Sequence, residues 1–297
     1  MPGSLAAAIT VVTWASAFPA IRLGLDGLGP LGLGLARLVC GAVGLGAVAL
    51  VARPAAPPRR LWGRVLLAGL LGQALYQLLL MLGEVRVPAG TASILIATAP
   101  LFSVAAATLL LGESARGRWP GMLVAFAGAA LVGASLGLGG GAYALAVLGA
   151  GACQGLYHVV VKPLAEAVGA FAATAWSLWA GALLMLPAAP WLAGDVARAP
   201  TAALASAAFL GLVPSALGYL TWSVALRRAP IAYTTAALYL VPVVAIGLAW
   251  AALGERPQAL ATAGGVLAIV GVALVRRGGP AGRRRRALVG SPAAEGA

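Results

Sequence analysis

Polar residues are few in this sequence, and their spacing would let them act together. Gln73 and Gln77 are separated by one helical turn, so they share one face of a helix. Tyr76 stands next to this stripe. Amide and hydroxyl groups placed in this way bind neighbouring helices or a polar solute. The chemistry that these residue types offer is reversible binding rather than bond cleavage.

A second polar stripe follows 142 residues later. Ser215 and Tyr219 occupy the positions that correspond to the two glutamines, and Trp222 continues the stripe. With Tyr219, Trp222 and Tyr239 on one wall, a cavity would suit an amphipathic or aromatic solute. The alternative is that these rings belong to the aromatic belt at a membrane interface.

Arg37 is the one strong charge well inside a predicted segment, and His158 lies in the last turns of the sixth segment. An arginine at that depth is costly unless it faces protein and pairs. Arg37 is therefore either a docking point for a substrate carboxylate or a structural donor to helix-end carbonyls. His158, the only histidine, would either carry protons or serve as a hydrogen-bonded packing residue.

Three prolines interrupt apolar segments near their middle, at Pro100, Pro214 and Pro242. Each removes an intrahelical hydrogen bond and is expected to kink its helix. Freed carbonyl groups are tolerated at membrane depth where they face protein or a water-filled cavity. Ser93 precedes Pro100 in the same segment and is a candidate binding residue. The alternative is that the kinks only shape packing.

The composition places these residues in a membrane protein. The chain is 62% hydrophobic and 9% charged, with a mean hydropathy of +0.98, whereas soluble domains carry about 25% charged residues. A spanning helix needs about 20 apolar residues. The sequence predicts an all-α membrane protein with ten transmembrane helices, at roughly residues 4–22, 30–52, 62–83, 88–111, 118–138, 142–162, 168–192, 203–226, 230–253 and 258–275.

The basic residues predict the orientation of these helices. If the N-terminus is cytoplasmic, fifteen of the twenty basic residues lie in cytoplasmic connections and four lie outside. The prediction is a multi-pass protein of the cell (inner or plasma) membrane with both termini cytoplasmic. Residues 276–297 form a basic tail, predicted to be disordered and close to anionic headgroups. The net charge of +13 comes with no basic, aromatic-rich face, so nucleic-acid binding is not predicted.

An internal repeat relates the two halves. The prolines at positions 88 and 100 and the Leu-Gly-Glu ending at position 113 recur 142 residues later. Each half holds five predicted helices, and an odd number of crossings inverts the second half relative to the first. The sequence therefore predicts two inverted five-helix repeats, at residues 4–138 and 142–275.

These features resemble the EamA family of the drug/metabolite transporter superfamily. The stretch from Trp14 to Phe18, Trp-Ala-Ser-Ala-Phe, is similar to the family's Trp-Gly-Ser-Asn/Thr-Phe signature, and Arg37 matches its second-helix arginine. Leu156-Tyr157 resembles the aromatic stretch that opens the second unit. The resemblance covers about residues 4–275. It implies a ten-helix carrier that exports amino acids or other metabolites, and it makes Trp14 and Ser16 candidate substrate-binding residues.

The predicted function is secondary transport, with export of a small metabolite such as an amino acid by alternating access. Glu84, Glu113, Glu166 and Glu255 all lie at segment ends, which argues against a carboxylate proton relay at mid-membrane. No His-Glu-x-x-His motif and no phosphate-binding loop occurs, so neither an enzyme nor a metal or cofactor is predicted. The alternative is a non-transporting membrane scaffold or assembly partner.

Overall fold

The computed structural model describes residues 2–111, 119–228, 238–256 and 258–277. Most residues in these ranges are helical, and no strand occurs among them. In chain order the α-helices are α1 Gly3–Ala15, α2 Ala17–Leu25, α3 Pro30–Ala52, α4 Trp62–Gly69, α5 Tyr76–Glu84, α6 Ala89–Ile96, α7 Ala99–Leu111, α8 Trp119–Ser135, α9 Gly137–Val168, α10 Ala170–Met185, α11 Ala189–Val196, α12 Thr201–Leu210, α13 Gly218–Arg228, α14 Val241–Leu253 and α15 Ala259–Arg277. Short 3-10 turns lie at Arg59–Leu61, Leu186–Ala188 and Leu238–Leu240, and two π-helical turns lie at Leu70–Leu75 and Gly211–Leu217.

The apolar segments are long enough to make this a multi-pass membrane protein. Those with the length and composition to cross a membrane are Gly3–Leu25, Pro30–Ala52, Arg59–Glu84, Gly140–Val168, Ala170–Val196 and Thr201–Trp222. Shorter apolar segments are Ala89–Ser103, Trp119–Ser135, Val241–Leu253 and Ala259–Leu274. Each overlaps one segment predicted from the sequence, and the all-α membrane class is confirmed.

The two ends of α9 differ from the predicted ends of the sixth segment. Helix α9 continues past residue 162 and includes Pro163, and it ends only at Gly169, whose φ of 85° is a conformation that favours glycine. The connection between α8 and α9 shrinks to Leu136, because Gly137 has a φ of 66° and the chain turns there at once.

Breaks in the helices fall at matching positions in the two halves of the sequence. One π-helical turn interrupts the third apolar segment and the other interrupts the eighth, and α5 and α13 begin directly after them. Helices α7 and α14 each have 13 residues and begin 142 positions apart. Pro100 is the second residue of α7 and Pro242 is the second residue of α14.

Glycines let α8 and α15 pack backbone to backbone. A Cβ atom at Gly128 would lie 2.3 Å from the amide nitrogen of Ala268 and 2.5 Å from the carbonyl oxygen of Gly264. A Cβ atom at Gly271 would lie 2.3 Å from the amide nitrogen of Ala125. Small residues permit this approach in lipid, where close packing holds helices together. The pair joins the two halves of the chain.

Candidate functional site

Trp14 connects the first helix to the second π-helical turn. Its indole Nε1 donates a 3.1 Å hydrogen bond to the carbonyl oxygen of Pro214. Its ring lies edge-on to Tyr219 and tilted against Trp222, with a centroid distance of 5.4 Å in each case. Gly218 makes room for the indole, because a Cβ atom there would lie 2.6 Å from Nε1. The fold thus brings together three aromatic residues predicted for the site.

Arg37 lies in α3 and is 6% exposed. Its Nε donates a 3.2 Å hydrogen bond to the hydroxyl of Ser215, and that hydroxyl donates a 3.0 Å bond to the carbonyl oxygen of Leu210. The partner is thus a side chain in the π-helical turn rather than a helix-end carbonyl. Nη1 of Arg37 has no hydrogen-bond partner within the described residues. The guanidinium is therefore buried, and not all of its hydrogen-bond donors are satisfied.

The two glutamines of the first polar stripe are buried beside this turn. Gln73 is 0% exposed and Gln77 is 1% exposed. Nε2 of Gln73 donates a 3.4 Å hydrogen bond to the hydroxyl of Tyr219. Oε1 of Gln73 and both amide atoms of Gln77 lack a partner in the part of the chain that the structure describes. A buried polar group left without a hydrogen bond costs about 1–3 kcal/mol, so a ligand that supplied one would be favoured.

These side chains form one group, which we call the interior polar cluster; its members are Arg37, Gln73, Tyr76, Gln77, Ser215 and Tyr219. Arg37 connects the group, because it bonds to Ser215 and interacts electrostatically with Tyr76 and Tyr219. A guanidinium donates strong hydrogen bonds to a carboxylate, and carboxamide oxygens accept hydrogen bonds from an ammonium group. The cluster therefore offers both kinds of partner that a zwitterion needs.

The two serines predicted for the site bond to backbone carbonyl groups three residues earlier in the chain. The Ser16 hydroxyl, at the break between α1 and α2, donates a 2.9 Å bond to the carbonyl oxygen of Thr13. The Ser93 hydroxyl donates a 2.6 Å bond to the carbonyl oxygen of Gly90. Tyr239 lies in the 3-10 turn Leu238–Leu240, and its side chain is outside the described part of the structure.

The three prolines occupy helix breaks of two kinds. The fourth apolar segment is interrupted at Ala97 and Thr98, just before Pro100, instead of bending at the proline itself. Pro242 likewise follows a 3-10 turn at the start of α14. Both positions suit proline, because the first residues of a helix need no intrahelical amide donor. Pro214 instead lies inside the second π-helical turn, a conformation that is frequent at functional sites.

His158 is exposed on α9. Its Nδ1 lies 3.2 Å from the hydroxyl oxygen of Ser103 in α7, and its Nε2 lies 3.4 Å from Nε2 of Gln154. The histidine is thus hydrogen-bonded to a neighbouring helix. Proton carriage by His158 stays a prediction.

Sequence reasoning gave no site role to Glu84, the last residue of α5. The structure buries it completely, at 0% exposure. Arg22 forms a 3.3 Å ion pair with Glu255. The burial of Glu84 depends on the helices packed around it, which the sequence does not identify.

An all-helical multi-pass protein with a polar cluster between its helices has the architecture of a membrane carrier. Comparisons with known proteins agree with this class. The model of the EamA-like transporter family matches residues 1–134 and again residues 141–277. The chain belongs to the EamA-like transporter family.

Relatives within the family are named as transporters. A "probable terminal-alkyne amino-acid exporter" of Streptantibioticus cattleyicolor is 46% identical over 286 residues, which cover 94% of each chain. An uncharacterized transporter of Bacillus subtilis is 32% identical over 87% of this chain and 86% of its own. A "probable amino-acid metabolite efflux pump" of Salmonella typhimurium is 26% identical over 90% of this chain and 92% of its own.

A solved structure shares the fold. One crystal structure superposes with a TM-score of 0.62 and 20% identity, and the match covers 97% of this chain and 99% of that one. At this level of identity the likeness concerns the fold alone. The family membership therefore rests on the sequence matches, and the fold agrees with it.

Proposed function

We propose that this protein exports an amino acid or a similar zwitterion across the cell membrane. The observation that carries the proposal is the buried guanidinium of Arg37, with Nη1 unpartnered, in one cluster with the unpartnered amide oxygens of Gln73 and Gln77. The carboxylate of the solute would bind Arg37, and its ammonium group would bind the glutamine oxygens. Relatives named as amino-acid exporters support the same substrate class.

The aromatic residues next to the cluster suit an apolar side chain on this solute. The Trp14 ring contacts both Tyr219 and Trp222. Aromatic rings present a large apolar surface together with polar atoms at their edges. One relative is named for amino acids with a terminal alkyne, and a slender unsaturated side chain would pack on these rings.

Alternating access would follow from two inverted repeats of five transmembrane helices each. The matching π-helical turns, the 142-residue spacing of α7 and α14, and the two family matches along the chain support this arrangement. Inverted repeats give a carrier two equivalent conformations, each open to one side of the membrane. The substrate would then stay at the polar cluster while the helices around it rearrange.

Both termini are proposed to be cytoplasmic, on the distribution of basic residues. Fusions at the C-terminus test this orientation. A fluorescent protein there should fluoresce and alkaline phosphatase there should be inactive, because each reporter works on only one side of a bacterial membrane. The reverse pattern would contradict the orientation.

Thermal unfolding of the purified protein in detergent tests the substrate class. The probes are L-propargylglycine, L-norvaline, pentanoate as a carboxylate alone and butylamine as an amine alone. A ligand at one hundred times its Kd stabilises the folded state by about 2.7 kcal/mol. We expect the two amino acids to raise the midpoint and the two partial compounds to raise it little.

Variants and flux complete the test. Arg37→Gln should abolish the shift, whereas Arg59→Gln, at an exposed arginine, should preserve it. Liposomes that contain the protein should then exchange labelled propargylglycine. Equal shifts of the midpoint with pentanoate and with the amino acids would contradict recognition of a zwitterion. No shift and no flux, together with a co-purifying protein, would favour the scaffold alternative.

A further inference from the structure

Glu84 has no hydrogen-bond partner for its carboxyl group. The residue is 0% exposed, and both side-chain oxygens lack a partner within the described residues. It ends α5, where the partial negative charge of the helix dipole opposes a carboxylate. A buried carboxyl group without donors costs least as the neutral acid. The surroundings of Glu84 therefore favour the protonated form of its carboxyl group.

Arg22 lies against the same end of α5, but its guanidinium forms an ion pair with the carboxylate of Glu255. Its Nη1 donates hydrogen bonds to the backbone carbonyl oxygens of Glu84, at 2.5 Å, and of Val85, at 3.2 Å. Its Nε is 3.3 Å from Oε1 of Glu255. Glu84 thus lies beside a guanidinium that is ion-paired elsewhere.

Glu255 uses its second oxygen to hold a different helix. Oε2 accepts a 2.8 Å hydrogen bond from the backbone amide of Ala89, the first residue of α6. Gly254, with a φ of 67°, ends α14 and turns the chain so that Glu255 reaches this point. We call Arg22, Glu255 and Ala89 the latch, since they join α2, α6 and the end of α14.

Other titratable groups surround Glu84. It interacts electrostatically with Arg22 of α2, Arg37 of α3 and Glu255. Tyr76 lies in its own helix and interacts with it in the same way, and the backbone of Tyr143 in α9 packs against the preceding Gly83. Arg22 and Glu255 belong to the latch, and their side chains are 34% and 20% exposed. The latch is therefore partly exposed, whereas protein encloses the carboxyl group of Glu84.

We propose that Glu84 is a proton-binding residue that controls the latch. With its proton bound, Glu84 is neutral and does not compete with Glu255 for Arg22, so the Arg22–Glu255 ion pair is kept and the latch stays closed. When the latch opens and water reaches Glu84, the carboxyl group passes its proton to that water. Its carboxylate then competes for Arg22 and weakens the Arg22–Glu255 pair, so that only the Glu255–Ala89 hydrogen bond still holds the latch. No covalent bond changes other than the O–H bond of Glu84. This role rests on the proposed transport function, because the latch would close one end of the carrier.

Infrared spectroscopy tests the proton site without any transport. Wild-type protein at neutral pH should show the C=O band of a protonated carboxyl group. The band should be missing in Glu84→Gln and present in Glu166→Gln, which changes an exposed glutamate at the end of α9. A spectrum of Glu84→Gln that keeps this band unchanged would overturn the assignment.

Exchange of labelled propargylglycine in liposomes tests control of the latch. With equal pH on both sides, wild-type exchange should rise by about tenfold from about pH 5 to about pH 9, a range in which buried carboxyl groups titrate. Glu84→Gln should stay slow at every pH. Glu255→Gln opens the latch and should be fast at every pH. The double variant should behave like Glu255→Gln, and this rescue would show that Glu84→Gln folds.

The two assays separate the possible failures. The infrared band without exchange of any amino acid would reject transport and keep the proton site. Exchange that is independent of pH in wild type, or a double variant as slow as Glu84→Gln, would overturn control of the latch.

Discussion

Gln73 and Tyr219 are 146 residues apart in sequence and share a hydrogen bond of 3.4 Å between Nε2 and the hydroxyl oxygen. Gln73 lies within one π-helical turn and Tyr219 is the second residue after the other, one in each half of the chain. The wider winding of a π-helical turn shifts the side chains that follow relative to a regular α-helix. The bond thus joins the two halves at the interior polar cluster.

Tyr219→Phe tests the importance of that bond. The variant removes the acceptor of the Gln73 amide group, which should cost about 1 kcal/mol of stability. If the cluster binds substrate, the Kd for propargylglycine should rise by about tenfold for each 1.4 kcal/mol of binding energy lost. Thermal unfolding with and without ligand measures both effects. Tyr143→Phe, at a half-buried tyrosine of α9, is the control and should leave the Kd unchanged.

Arg37→Ala should lower the transport of carboxylated solutes more than that of neutral or purely cationic ones. A hydrogen bond to a charged group contributes about 1.5–3 kcal/mol, so we expect a loss of about tenfold to a hundredfold for propargylglycine. Uptake of propargylglycine and of its amide by the same liposomes gives the comparison. Equal losses for the two compounds would mark Arg37 as a structural residue bound to Ser215.

Much of the site is predictable from helical periodicity. The spacing of Gln73 and Gln77 predicts a shared face, and both side chains are buried as that face requires. The offset of 142 residues predicts that Tyr219 belongs to an equivalent stripe, and the structure joins it to Gln73. The shared face of each stripe depends on local helical geometry, which the sequence determines directly, whereas the contact between Gln73 and Tyr219 depends on how the helices pack.

The remaining contacts depend on which helices become neighbours. Arg37 pairs with Ser215 from the other half of the chain, a partner that no local rule selects. Glu84 is at a helix end, where exposure is the ordinary expectation, yet it is completely buried. The break in the fourth segment precedes Pro100, because Ala97 and Thr98 leave the helix and the proline takes the second position of the next one.

Pro100→Ala and Pro242→Ala should each slow turnover without preventing membrane insertion. Alanine restores an amide donor and favours a continuous helix across the break, which would stiffen the segments proposed to move. Initial exchange rates and the yield of folded protein are the measurements. Pro120→Ala changes an exposed proline at the second residue of α8 and is the matched control. Wild-type rates in both variants would remove any role of the breaks in transport.

Gly128→Ala should destabilise the protein, whereas Gly133→Ala in the same helix should not. The added Cβ atom at Gly128 would lie 2.3 Å from the backbone nitrogen of Ala268, so α15 must move away from α8. At Gly133 a Cβ atom meets nothing within 4 Å, and alanine is favoured over glycine in a helix by about 1 kcal/mol. Thermal unfolding in detergent should therefore give a lower midpoint for Gly128→Ala and an equal or higher one for Gly133→Ala. Equal midpoints for the two variants would mean that close contact between α8 and α15 does not hold the two halves of the chain together.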